Sequence, residues 1–254
     1  MSIFNEKIKQ ISLKEVLFLI LILYFSYFLL TYFNIDIGGP WINLFIIAYF
    51  IYRIGDFSGL KEDIFKAVSK DSMKSILIVV LLNIFISYGL LYLSQFLLKT
   101  FPSLDFLVSF HLSSMYLINS IISVSFISTV FISPVVEELI FRGVLINKLN
   151  LIVPTTFSIL ITSLMFASLH SFGSIIAAFV FAVCMGILYV KTENIVVVIL
   201  AHFLNNLIAE SIVICDVNNV LFTNGIVVLI MSVLAIVSAV LIAVSIIEEL
   251  HNLK

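Results

Sequence analysis

Apolar residues run along this chain in blocks close to the roughly 20 positions that a helix needs to cross a bilayer's hydrocarbon core. The blocks fall at about 15–34, 37–53, 75–98, 116–141, 155–171, 174–190, 194–214 and 225–247. They predict an all-α, polytopic membrane protein of about eight transmembrane helices. The second block is the weakest, because Gly38, Gly39 and Pro40 interrupt its start, although Trp41 is placed to anchor it at an interface. Charges between the blocks test the count. With the N-terminus inside, Lys7, Lys9, Lys14, Arg53, Lys61, Lys66, Lys70, Lys74, Arg142, Lys148, Lys191 and Lys254 fall on the inner face, and Lys99 alone falls outside. Lys and Arg collect in short cytoplasmic loops, so the expected location is the cell membrane, multi-pass, with both termini cytoplasmic. The first block is long and lacks a small-residue cleavage site, so it reads as a retained span rather than a signal peptide.

The remaining segments are short. Met1–Lys14 alternates apolar and charged residues and reads either as a helix along the inner membrane surface or as a cytoplasmic tail. Residues 54–74, with Ile64, Phe65 and Val68 at helical intervals, read as a short amphipathic connector. With no soluble domain, repeat or low-complexity stretch, residues 1–254 form one membrane domain.

Composition agrees: 62% of residues are hydrophobic and 11% charged, where an average soluble domain carries about 25% charged residues. A soluble globular fold is excluded, and the lipid bilayer is the surrounding partner. The net charge of −2 leaves no basic excess to neutralise phosphates, so nucleic acid is not an expected partner. Oligomeric state is not legible. Cys184 and Cys215 match no metal or redox spacing and read as small buried apolar residues.

Ionisable groups at membrane depth are costly and mark functional sites by default. The fourth block contains Glu137, Glu138 and Arg142; the fifth ends in Phe166 and His170; the seventh carries His202, Asn206 and Glu210. Glu138 and Arg142, four apart, share a helix face and can pair. Glu137 is turned about 100° away on a 3.6-residue helix. Its charge is less directly compensated, which predicts a raised pKa and a carboxylate able to exchange a proton near neutrality. His202 and Asn206, also four apart, present an imidazole and an amide on one face. Counting along the hairpin around Asn150–Pro154 puts Glu137 and His170 at the same depth, about 25 Å from the turn at 1.5 Å per residue. The set suits amide hydrolysis: a carboxylate takes a proton from water, and paired donors hold the oxyanion. No covalent nucleophile is supplied, since Ser133, Ser163, Ser168 and Ser171 lack a G-x-S-x-G elbow and membrane serines tend to bond back to their own helix. Glu210 continues the face of His202 and Asn206 toward a solvated end. His111 and His251 are assigned no role, and the 24 phenylalanines read as lipid-facing or packing residues.

Together, E-E-x-x-x-R at Glu137, Glu138 and Arg142, F-x-x-x-H at Phe166 and His170, and H-x-x-x-N at His202 and Asn206 resemble the CPBP (Abi) family of intramembrane endopeptidases. These are related to the type II CAAX prenyl proteases, and the resemblance covers about 116–214. It implies Glu137 as general base, His170 as a ligand of the water, and His202 with Asn206 as the oxyanion site. Glu138, Arg142 and Phe166 would be supporting residues. The family has been described both as metal-independent glutamate proteases and as metalloproteases. The expectation here is no cofactor; were zinc bound, Glu137, His170 and His202 would hold it. The substrate expected is a hydrophobic or membrane-associated peptide, in bacterial peptide maturation, bacteriocin processing or self-immunity. Nothing in the residues points to a prenyl group. The competing reading is a non-catalytic immunity or scaffold protein that binds a peptide or membrane partner. A transporter is a third, against which the chain shows no paired interrupted helices in matching halves.

Overall fold

The computed structural model describes residues 1–35, 39–101, 124–170, 174–216 and 218–252. All of its regular structure among these residues is helical. A short helix α1 (Ile3–Gln10) precedes α2 (Leu13–Tyr32) and α3 (Gly39–Ile54), and α4 (Leu60–Ala67) leads into the long α5 (Lys70–Thr100). Residues 124–149 form one helical rod, α6. Then come α7 (Thr155–Ser168), α8 (Ile175–Thr192), α9 (Ile195–Cys215), the single turn α10 (Val220–Thr223) and α11 (Gly225–Asn252). Within the described residues each apolar block lands on one of these helices, and positions 116–123 of the fourth block lie outside them. Five of them, α2, α5, α8, α9 and α11, are long and apolar enough to cross a membrane, and α3 and α7 are shorter apolar helices. The molecule is an all-α polytopic membrane protein.

Burial separates the rim from the centre. α2 buries only Val16, and α11 only Ala235, Ser238 and Ile242, while α2 carries Leu, Ile and Phe outward along its length and α11 Leu, Ile and Val. Apolar side chains facing outward all along a helix are what a lipid solvent demands. α8 is the opposite case, packed by α5, α6, α7, α9 and α11. Its small residues allow that. A methyl group on Gly186 would come within 2.9 Å of the Ile159 side chain on α7, so only glycine permits this approach. Gly89 plays the same part between α5 and Ala235 of α11.

Three expectations need correction. The amphipathic segment at the start of the chain is neither a surface helix nor a loose tail: α1 docks into the bundle, with Asn5 and Ile8 each 1% exposed. α4 forms as expected, but it buries Asp63 and Ala67 and leaves Ile64, Phe65 and Val68 exposed. Asp63 is drawn inward because it has partners there. Its Oδ2 accepts from Ser2 Oγ and from Asn5 Nδ2 at 2.7 Å, and its carbonyl accepts from Asn194 Nδ2 at 2.9 Å. Third, Cys184 is buried but Cys215, at the end of α9, is exposed.

Candidate active site

The site is built on α6, whose irregularity begins with a proline. Pro134 has no N–H and crowds the carbonyl four residues back, and the turn just before it, Ser128–Ile132, widens to π-helical. There the N–H of Ser133 bonds the carbonyl of Ser128, five residues back. In that register the next carbonyl, Thr129, would look to the N–H that Pro134 lacks. It accepts instead from Asn206 Nδ2 on α9, at 2.9 Å. A second wide segment, Leu139–Ile146, follows the glutamates. At its end Asn147 Nδ2 donates to the carbonyls of Arg142 and Gly143 at 2.9 and 2.8 Å. Wide turns of this kind are frequent at functional sites.

Between the two wide turns, Ser133–Glu138 is α-helical and presents both glutamates to α9. The expected Glu138–Arg142 pair forms, Nη1 to Oε1 at 2.9 Å, and both side chains are buried. Arg142 also donates to the carbonyl of Ala182 on α8 at 3.0 Å and lies over the Phe166 ring, 5.0 Å from its centroid. Buried charges survive only when paired and hydrogen-bonded like this.

The arrangement around His202 was not legible in the motifs. Its Nδ1 lies 2.8 Å from the same Glu138 Oε1, and its Nε2 lies 3.8 Å from Glu137 Oε2. Two successive carboxylates therefore flank the two nitrogens of one ring. Glu138 Oε1 already accepts from Arg142 and accepts again here, so Nδ1 carries the hydrogen and Nε2 is the atom left toward Glu137. His170, in the turn just after α7, has Nδ1 3.0 Å from the carbonyl of Phe166. A carbonyl likewise only accepts, so Nδ1 holds the proton and Nε2 offers a lone pair. Phe166 ties the groups together, its ring centroid 4.6 Å from that of His170 and 6.0 Å from that of His202.

A cavity of about 160 Å³ opens here, and its walls include His170, His202, Asn206, Asn205, Asn83 and Phe166. His170, His202 and Asn206 thus share one cavity, and Glu137 joins them through His202. Sequence reasoning overlooked Asn83 and Asn205. Asn83 Nδ2 donates to Asn205 Oδ1 at 2.9 Å, and Asn205 Nδ2 donates to Asn206 Oδ1 at 3.2 Å. Asn83 is an amide in an apolar span, and a screen of intramembrane polar residues, not only ionisable ones, would have found it. Buried oxygens of Glu138 (Oε2) and Asn83 (Oδ1) have no hydrogen-bond partner among the described residues.

Of the remaining candidates, Ser168 bonds back to the Met165 carbonyl, Ser133 meets Asn43, and Ser163 is buried with no partner among the described residues. Glu210 is partly buried and His251 exposed. His111 and Ser171 lie outside the described residues. As for zinc, no three His, Cys, Asp or Glu side chains among the described residues come together as a metal-binding group. Glu138 on Nδ1 of His202 leaves Nε2 as the nitrogen that could meet a metal, but the described side chains do not gather a three-ligand set around it, and no step below passes through a metal.

A polytopic helical protein with two histidines and a fixed amide around one cavity, and a carboxylate beside it behind His202, is the class that this fold and site define. Residues 119–208 match the family model described as type II CAAX prenyl endopeptidase Rce1-like, so over that segment, which holds all three motifs, the chain is similar to that family. Comparisons with curated proteins and with solved structures gave no match.

Proposed function

We propose that this protein is an intramembrane endopeptidase that hydrolyses a peptide bond in a hydrophobic or membrane-associated peptide through a water activated by Glu137. The observation that carries the reading is the pair of carboxylates flanking His202, beside a cavity that also holds His170 and Asn206. Glu137 takes the proton from water as the oxygen attacks the scissile carbonyl. The Nε2 lone pair of His170 accepts from the same water and orients it. Negative charge then develops on the carbonyl oxygen. Asn206 has one N–H committed to Thr129, and the other, with no partner among the described residues, donates to it. His202, fixed by Glu138, donates from Nε2 when that nitrogen is protonated. Collapse of the tetrahedral intermediate passes the proton from Glu137 to the leaving amine.

Every polar group in this scheme is held by a neighbour before substrate arrives, which is where electrostatic catalysis gains most. In a bacterial setting the reading fits maturation of secreted peptides, bacteriocin processing or self-immunity. The test is cleavage of hydrophobic precursor peptides by the purified protein in liposomes, read by mass spectrometry, with Glu137→Gln and His202→Ala alongside. Cleavage lost in both variants, with parent-like melting, supports the glutamate mechanism. Variants that keep the parent's cellular effect while no peptide is cut would replace this reading with a binding role.

A further inference from the structure

The amides of Asn83, Asn205 and Asn206 form a chain whose direction is forced. Thr129 contributes a carbonyl, which only accepts, so Asn206 must turn its nitrogen there and its oxygen to Asn205. Asn205 must then turn its nitrogen to Asn206 and its oxygen to Asn83. Asn83 in turn spends its nitrogen on Asn205 and is left with Oδ1. That oxygen is buried, has no partner among the described residues, and belongs to a side chain 4% exposed in the wall of the cavity that holds His170, His202 and Asn206. A buried acceptor without a donor is costly, and the group that satisfies this one must carry an N–H or O–H.

We infer that Asn83 is a substrate-binding residue, its Oδ1 accepting a main-chain N–H of the peptide seated in the cavity. The inference rests on the endopeptidase reading and extends it to a helix outside the segment that matches the family. An extended peptide alternates C=O and N–H along its backbone. Asn206 offers a donor for a carbonyl and Asn83 an acceptor for an N–H, on the two ends of one amide chain. Recognition through the main chain tolerates varied side chains, so cleavage should depend on backbone N–H groups more than on the residues beside them.

The test is an ester scan. In a peptide that the parent cleaves, each amide other than the scissile one is replaced in turn by an ester, which deletes one N–H. The parent, Asn83→Gln and Asn83→Leu are compared in liposomes. At one position the ester should lower the parent's kcat/KM about tenfold or more, mostly through KM, the scale set by an unpaired buried acceptor. Asn83→Gln, which keeps both an acceptor oxygen and the N–H that Asn205 needs, should retain that discrimination, whereas Asn83→Leu should cut amide and ester at that position equally. If the Leu variant discriminates as the parent does, the assignment is wrong. The scan on the parent alone guards against a variant that misfolds: no position-specific loss would also overturn it. If the parent cuts no peptide while Glu137→Gln behaves identically, the endopeptidase reading itself fails, and this one with it.

Discussion

Two buried polar clusters are strung along α9, and they are finished differently. At its start, Ser2, Asn5, Asp63 and Asn194 bind one another. Asn5 Oδ1 also takes the N–H of Ile195, and Asn194 Oδ1 that of Val196, each at 2.9 Å. No buried side-chain oxygen or nitrogen in that cluster lacks a partner. Further along the helix, in the cluster around His202, Asn205 and Asn206, the buried Glu138 Oε2 and Asn83 Oδ1 have no partner among the described residues. Since leaving such an atom unpaired costs about 1–3 kcal/mol, the first cluster is finished as a structural one, and on the proposed reading the second keeps capacity for a reactant.

The contrast breaks most sharply at Glu137. Glu137→Gln should lower peptide cleavage by about 10²–10⁴-fold, the span of a general base, with little change in melting temperature. A variant that keeps more than a tenth of parental turnover would remove this carboxylate from the chemistry. Arg142→Leu leaves Glu138 as an unpaired buried charge and should cost about 3–5 kcal/mol of stability, measured by denaturant titration in micelles. Parent-like stability there would show that Glu138 is held by His202 alone.

Smaller effects probe the closed cluster. Asp63→Ala removes the acceptor shared by Ser2 and Asn5 and should cost about 1–3 kcal/mol, while cleavage per folded molecule stays at the parental rate. Loss of turnover without loss of stability would mean that the two clusters are coupled. A methyl group on Gly143 would sit 2.6 Å from Ile8 Cγ2, so Gly143→Ala should cost about 1–3 kcal/mol from overpacking, and Ile8→Ala should recover part of it. The smallest effect belongs to a zinc chelator, which should change neither cleavage nor melting temperature. Chelator-sensitive cleavage would recast Glu137 and the histidines as metal ligands.

The helical blocks, the Glu138–Arg142 pair and the meeting of His170, His202 and Asn206 were legible because each rests on short spacing or on counts along a helix. What the sequence hid depends on contacts between distant segments. Asn83 reaches Asn205 across 122 positions, and no periodicity announces a lone amide in an apolar run. The second carboxylate on His202 was hidden by assigning Glu138 to Arg142 alone, although a carboxylate oxygen has room for two donors. The inward side of α4 was hidden for a related reason. In a membrane protein the apolar face does not mark the interior, and Asp63 turned inward toward amides that no local pattern reveals.

The bond from Ile195 to Asn5 spans 190 positions, and this has a consequence for how the protein is made. Asn5 leaves the ribosome long before the start of α9 exists, so α1 must wait beside the membrane through insertion of most later helices. Its seating against Gly143 and Ile195 is therefore a late step of assembly, one that locks α6 and α9 in register once both have arrived. A bulky fusion placed ahead of Ser2 should leave insertion intact and spoil that last closure.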